Sequence, residues 1–323
     1  MNDTAFPLLI LAILGANVFL LPYFTPRRFF FTITVAPGFP ASEAGRSITR
    51  GYHTQVALLI VASALVAAAI PDAATVWSEL LLGLGGGVAF LYARSKVSRY
   101  SQGPETVREA ELSAGEAPLP RWILLALPPF LFLAVAGAWL RAHWSEIPAR
   151  FPYHWNAHGE PNQWALRSGR AVYGPLLLCA AMMLLILLIS LATFYGARRA
   201  EQCLATLKVV IAAMYCLSIV FVCVAAMPLV QIPLWLLVAP AILFAIGAMA
   251  WQYQFLNDPD RHAESTPDEC WHLGQIYYNP QDPAIFVQKR LGLGYTVNFG
   301  HRISWVLLAV ILAAFGGMIF LLP

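Results

Sequence analysis

The residues best equipped for chemistry lie in one stretch, "SEIPARFPYHWNAHGEPNQWALRS", residues 145–168. His154 and His158 are four apart, a spacing that would put both imidazoles on one face of a helix. Together with His143 and Glu160 they suggest zinc chemistry. A zinc hydrolase of the His-Glu-x-x-His type needs a carboxylate directly after its first ligand as general base, then a third ligand. Trp155 stands in that place. Pro148, Pro152, Gly159 and Pro161 also interrupt the segment, which favours turns over a helix. Without a helix the histidine spacing loses its meaning. The stretch therefore reads as a Pro/Gly-shaped recognition loop holding neither metal nor cofactor, with His154, Asn156, Gly159, Pro161 and Asn162 as the ligand-recognition candidates. Asn156 and Gly159 suit a tight turn, where Asn caps backbone groups and Gly takes positive φ.

A second ordered stretch is "CWHLGQIYYNPQDPAIFVQKRLGLGYTVNFG", residues 270–300. Tyr277 to Pro280 and Asp282-Pro283 suggest a strand running into turns, Ile285 to Val287 a short strand, and Gly292-x-Gly294 a turn. Its candidate residues are Tyr278, Asn279, Pro280, Asp282, Pro283, Lys289, Arg290, Gly294 and Asn298. A dinucleotide-binding loop would need a third glycine opening a helix, but position 297 is Val. The acidic residues just before it (Asp258, Asp260, Glu264, Asp268, Glu269) lack the spacing of a calcium loop and read as a solvated linker.

The elements that must hold these stretches are apolar. The chain has 323 residues, 59% hydrophobic and 11% charged, with a mean hydropathy of +0.65. Soluble domains carry roughly 25% charged residues, so this apolar surface cannot be hidden in a water-soluble core. Eight runs suit membrane helices: 6–24, 53–70, 76–92, 122–140, 172–195, 204–227, 232–255 and 303–322. The third carries Gly83, Gly85, Gly86 and Gly87, which read as close helix packing. Trp122, Trp139, Trp144, Trp251 and Trp305 fall at run ends, where rings anchor helix depth. The expected fold is an all-α polytopic membrane protein of about eight transmembrane helices, with one small outside loop domain and one small cytoplasmic segment rich in β and turns. No internal repeat of the transporter kind is visible.

Arg27 and Arg28 follow the first run and no basic residue precedes it, the reverse of a cleavable signal. With the amino terminus outside, sixteen of the twenty Lys and Arg fall in cytoplasmic segments, leaving Arg141, Arg150, Arg167 and Arg170 outside. This predicts a multi-pass plasma-membrane protein with both termini outside, its 141–171 loop outside and its 94–121 and 256–302 segments cytoplasmic. The basic start of 94–121 is expected against anionic headgroups. Five regions follow: residues 1–121, three helices and a linker; 122–195, helix–loop–helix; 196–255, a two-helix hairpin; 256–302, cytoplasmic; and 303–323, a final helix. No cysteine falls in an outside loop, so no disulfide is expected.

Pro148, Pro152, His154, Asn156, Gly159, Pro161 and Asn162, set between two helices over residues 122–190, resemble the outside-loop domain of unknown function of SdpI-like bacterial membrane proteins. That resemblance implies immunity-like recognition of a secreted toxin. The order Tyr-Tyr-Asn-Pro-x-Asp-Pro, Phe-Val-x-Lys-Arg and Gly-x-Gly-Tyr-Thr-x-Asn-Phe resembles a second small bacterial membrane-protein domain of unknown function. The expected partners are membrane lipids, a peptide or protein ligand outside and a protein partner in the cytoplasm. Nucleic acid is not expected, because the pI near 8.6 follows from the distribution of positive charge across the membrane. A sensory or binding role is the leading expectation and an enzymatic one is not. A transporter is the alternative, although the helix centres are almost free of ionisable groups. A membrane metalloenzyme would need His143, His154, His158 and Glu160 as ligands.

Overall fold

A computed structural model describes residues 5–69, 74–102, 119–155, 161–196, 200–256 and 266–319. The helices are α1 Ala5–Leu20, α2 Glu43–Ala69, α3 Ala74–Val97, α4 Leu127–Ala142, α5 Gly169–Gly196, α6 Ala200–Ala226, α7 Leu234–Leu256 and α8 Arg302–Ile319. Four two-stranded sheets join them: β1 Phe29–Phe30 with β2 Ile33–Thr34, β3 Arg150–Trp155 with β4 Pro161–Leu166, β5 Trp271–His272 with β6 Ile276–Tyr277, and β7 Phe286–Gln288 with β8 Tyr295–Val297. Among the described residues six helices are long and apolar enough to cross a membrane, and Ile10–Phe24 and Arg302–Gly317 are shorter apolar ones. Leu58, Leu84, Leu131 and Leu243 are each at least 65% exposed. An outer surface this apolar suits hydrocarbon rather than water. The chain is an all-α polytopic membrane protein.

α2 begins at Glu43, ten residues ahead of the apolar run read from sequence. Ser42 supplies the reason: its Oγ accepts the Gly45 N–H at 3.0 Å, an N-terminal cap. Hydropathy sees only apolar residues and misses a polar first turn of this kind. The glycines of α3 divide in two. A Cβ on Gly85 would lie 2.7 Å from Leu59 Cδ2, and one on Gly86 would lie 2.4 Å from Val18 Cγ1. These two let α3 approach α2 and α1 closely, while Gly83 and Gly87 face open space.

The chain forms two compact units. The first comprises Met1–Ala110, Gln252–Asp282 and Val287–Gly300; the second comprises Glu111–Trp251, Pro283–Phe286 and His301–Pro323. In the first, α1, α2 and α3 pack together, and Phe31, Tyr52 and Phe90 meet with ring centroids 5.2 and 5.3 Å from Phe31. In the second, Leu133 and Leu140 of α4, Val172, Leu176 and Met183 of α5, and Ile211 and Met214 of α6 form one core. Ile147 and Phe151, from the connection between α4 and α5, are buried in that same core.

Candidate functional site

The α4–α5 connection is a β-hairpin, where turns alone were expected. Arg150 pairs with Leu166, Phe151 with Ala165, Pro152 with Trp164, His154 with Gln163 and Trp155 with Pro161, with register irregularities on either side of His154. The prolines that argued against regular structure are tolerated for a physical reason. A two-stranded ribbon has two free edges, so a residue without an N–H costs nothing on the unpaired side, and Pro161 is the first residue of its strand.

An isolated two-stranded hairpin is marginal in water, so this one needs anchors. Ile147 and Phe151 are 1% and 3% exposed in the core of the second unit. Arg167 ties the two ends of the hairpin together. Its Nη1 donates to the carbonyls of Trp144 at 3.1 Å, Ser145 at 3.3 Å and Ile147 at 2.7 Å, and its N–H donates to Ala149 O at 2.9 Å. The guanidinium also lies 5.9 Å from the Trp144 ring centroid, and Trp144 stacks on Tyr173 at 6.0 Å. In the sequence Arg167 counts only as one of the four basic residues left outside, since a lone basic residue before a helix carries no signature of this bridging.

Beyond the anchors, the hairpin presents polar and aromatic side chains outward. Exposed His154 shares a hydrogen bond with Asn162, Nδ1 to Oδ1 at 2.6 Å, and the Tyr153 hydroxyl donates to Gln163 Oε1 at 2.6 Å. Arg150 lies 5.6 Å from the Trp164 ring centroid. Pro161 is exposed at the head of β4. Asn156, His158, Gly159 and Glu160 lie outside the described residues. His143 turns back on its own helix, with Nδ1 2.9 Å from Trp139 O and its ring 4.8 Å from that of Trp139. Among the described residues, no three His, Cys, Asp or Glu gather as a metal site. An open groove of about 700 Å³ at the base of the hairpin is lined by Gly137, Ala138, Arg141, Trp144 and Tyr173.

The other candidate stretch folds against the first unit's helices around a buried ion pair. Arg290 is 1% exposed and bridges to Asp268, which is 16% exposed. Its Nη1 also donates to Thr32 O at 2.9 Å and its Nη2 to Thr266 O, while the guanidinium lies 4.6 Å from the Phe29 ring and 5.1 Å from the Trp271 ring. Burial pushes the Arg290 pKa down to about 10, against the pull of Asp268, so the group stays cationic at neutral pH. Asp268 is further held by the Thr34 N–H, the Thr34 hydroxyl at 2.8 Å and Ser101 Oγ at 2.5 Å. The solvated linker expected at Asp268 is thus corrected: this carboxylate is the counter-ion of a buried arginine.

Arg94 completes this knot, donating to Thr32 Oγ1 and to Trp271 O at 3.1 Å. It was expected against headgroups and is instead turned into the protein. Between them the two arginines hold the β1–β2 turn, whose central residues Phe31 and Thr32 have φ of 48° and 65°. Positive φ at both centres matches the twist of a two-residue hairpin but normally calls for Asn-Gly. Here a Phe packed at 0% exposure and a Thr bonded to Arg94 and Arg290 hold the strained geometry. Neither Thr32 nor the Phe29–Thr34 ribbon stood out in sequence. The signal was there, because aromatic and β-branched residues in a row favour strands.

The remaining motif residues form a second, smaller network. Asn298, fully buried, accepts the N–H groups of Asn279 at 2.9 Å and Gly300 at 3.0 Å through Oδ1, and donates through Nδ2 to Asn279 O at 2.8 Å and Asp282 O at 3.1 Å. The Tyr277 hydroxyl donates to Asp282 Oδ2 at 2.9 Å and accepts from Asn279 Nδ2 at 3.2 Å. Burial, with Asp282 adding to it, raises the Tyr277 phenol above its ordinary pKa. Tyr278, Pro280 and Pro283 point outward. The Lys289 N–H donates to Gly294 O at 3.1 Å, closing the turn in which Gly292 and Gly294 take φ of 74° and 100°. Burial lowers the pKa of the Lys289 ammonium.

Residues 130–179, spanning α4, the hairpin and the start of α5, match a domain of unknown function (DUF1648). Residues 280–305 match a family of unknown function (DUF5808). No curated protein and no solved structure matches the chain. The two matches fall on the two ordered stretches of the sequence, and neither description carries an assigned chemistry.

Proposed function

We propose that this chain is a non-enzymatic recognition protein of the bacterial plasma membrane, with both termini and the α4–α5 hairpin outside, which binds a peptide or an envelope component through that hairpin. One observation carries the reading. The hairpin base is over-determined by Arg167, Ile147 and Phe151, with Tyr153 packed in part against the same core, while its face displays exposed His154, Asn162 and Trp164. Rigid aromatic and polar side chains on a pinned backbone suit recognition, because little ordering entropy is lost on binding. The Arg141-rimmed groove beside it gives such a ligand a second point of contact.

The distribution of Lys and Arg supports this orientation, and the resemblance to SdpI-like proteins supports the narrower form, in which the ligand is a secreted killing peptide. The 266–300 knot then faces the cytoplasm, where exposed Tyr278, Pro280 and Pro283 are available to a protein partner. The test is a sensitive host expressing the protein and challenged with a panel of envelope-active peptides. Protection lost in a Trp164→Ala, Arg150→Ala variant that still reaches the membrane is the expected outcome. Protection that survives removal of residues 150–166 would rule the hairpin out as the recognition element. A cysteine placed at Gln163 should react with an impermeant thiol reagent in intact cells, and failure to react would reverse the orientation.

A further inference from the structure

The first unit holds a cavity of about 490 Å³, formed where α1 ends and α2 begins. Its wall has two chemistries. Arg27, Arg46 and Arg50 supply three cationic groups, while Tyr23, Phe30 and Pro40 supply apolar surface. None of the described lining residues is acidic, and among the described residues no carboxylate pairs with any of the three arginines. Glu43, on the first turn of α2, is not part of the wall. Elsewhere in this unit the buried cation, Arg290, is matched by Asp268. Arg27, Arg46 and Arg50 are instead exposed at one cavity, three cationic groups with no carboxylate beside them among the described residues.

Arg46 is oriented for the task, since its Nη1 donates to Ala41 O and fixes the side chain beside the opening. Arg46 and Arg50 stand four apart on α2, so they lie on one helix face, with Thr49 between them in the wall. Guanidinium forks match the oxygens of a phosphate in paired, charge-assisted hydrogen bonds. The volume falls within the small-molecule range of about 300–1,000 Å³. The cavity also sits where both helices pass from apolar to charged sequence, at the level of a membrane surface whichever face that is.

We infer that this cavity is a binding site for the phosphate headgroup of an anionic phospholipid, with the three arginines on the phosphate and the Tyr23, Phe30 and Pro40 surface along the glycerol and the first part of an acyl chain. The shared chemistry, a phosphate anion, could also be presented by a soluble compound; the mixed polar and apolar wall and the level of the site favour the lipid. The inference is independent of the hairpin reading, because every residue in it belongs to the other unit.

The test uses the full chain in neutral detergent, followed by native mass spectrometry, with dioleoyl phosphatidylglycerol, dioleoyl phosphatidylcholine and inorganic phosphate as separate probes. A saturable one-to-one adduct is expected with phosphatidylglycerol and not with phosphatidylcholine. Arg46→Ala, Arg50→Ala should weaken it at least about tenfold, as the loss of charge-assisted contacts implies. Thr49→Trp, which fills the cavity without changing charge, should do the same, and Arg99→Ala, outside the cavity, should leave it unchanged. If the double variant does not fold, Arg27→Ala and Thr49→Trp read the same site. Equal adducts with both lipids, full binding by Thr49→Trp, or an equal loss in Arg99→Ala would overturn the site. Displacement of the lipid by stoichiometric inorganic phosphate would overturn the lipid assignment in favour of a soluble anion.

Discussion

Replacing Arg290 by Met tests the central structural claim, that one buried ion pair ties the 25–35 ribbon to the 266–300 segment. Methionine keeps much of the apolar stem and removes the guanidinium. The bonds from the guanidinium to Thr32 O, Thr266 O, Thr266 Oγ1 and Asp268 are then lost. Removing one partner of a buried pair costs about 3–5 kcal/mol, mainly because the other charge is left without its counter-ion. Asp268 is 16% exposed and keeps donors from Thr34 and Ser101, so its charge is only partly abandoned. That places the expected loss near the lower end, about 3 kcal/mol, or roughly a hundredfold in the local opening constant at about 1.4 kcal/mol per tenfold.

Hydrogen exchange in the intact, detergent-solubilised protein measures this opening segment by segment. Slow amides in residues 25–35 and 266–300, such as Thr34 N–H on Asp268 and Gly292 N–H on Phe24 O at 2.7 Å, should exchange about a hundred times faster. Amides of α4, α5 and α6 should not change. Arg290→Lys should fall between, since an ammonium keeps the charge but cannot span the same acceptors with a planar fork. Adding Asp268→Asn to Arg290→Met should restore part of the protection by removing the stranded charge. Unaltered exchange in Arg290→Met, or equal acceleration in both units, would refute the reasoning.

The other expectations are smaller and independent. Arg167→Ala should free the hairpin base, costing about 1–2 kcal/mol locally for a half-exposed set of charge-assisted bonds, read as faster exchange in 150–166 and new tryptic cleavage at Arg150. Asn298→Ala removes four hydrogen bonds from a buried turn and should cost about 2–4 kcal/mol, seen as lost protection in 276–300. Gly274→Ala puts a Cβ 2.4 Å from Thr32 Oγ1 at φ +76°, and should destabilise the first unit by about 2–3 kcal/mol in thermal unfolding. The raised Tyr277 phenol keeps its proton longer in the folded state than in the unfolded chain. The stability tied to it is whole below its ordinary pKa near 10 and is lost as pH climbs past that value. Lys289, lowered by burial, works the other way, adding stability as pH rises toward its ordinary value. Tyr277→Phe should therefore lose less stability than the parent between pH ~10 and ~11, measured by thermal unfolding across that range.

The membrane helices were legible because crossing hydrocarbon demands about twenty apolar residues in a row, a signal no local detail can blur. The two stretches with ordered chemistry were legible as places. Their structure was less so, and for identifiable reasons. Pro152 and Pro161 looked like breaks because proline is hostile to central strands, yet both lie in a two-stranded ribbon with two free edges, Pro161 as the first residue of its strand. Asp268 looked solvated because acidic neighbours surround it in sequence, while its partner Arg290 is 22 residues away. Arg94 looked like a headgroup contact because juxtamembrane cations usually are, and its acceptors lie 62 and 177 residues distant. Pairings of that range leave no trace in spacing or periodicity. They are found only when the chain has folded.

That distinction divides the 270–300 motif into two sets of residues with different duties. Asn279, Asp282, Arg290 and Asn298 spend their polar atoms on the chain itself, so substituting them should lower stability whatever the protein binds. Tyr278, 48% exposed, and the outward Pro280 and Pro283 contribute little to that network, and surface changes of this kind usually fall within about 0.5 kcal/mol of neutral. A motif chosen only for folding would not need these three in particular. If Tyr278→Ala and Pro283→Ala leave thermal unfolding unchanged but abolish capture of a protein from the same cell, the outward face is an interface. If neither changes anything measurable, the motif is a folding device alone, and the proposed recognition role is left to the α4–α5 hairpin and the arginine-lined cavity.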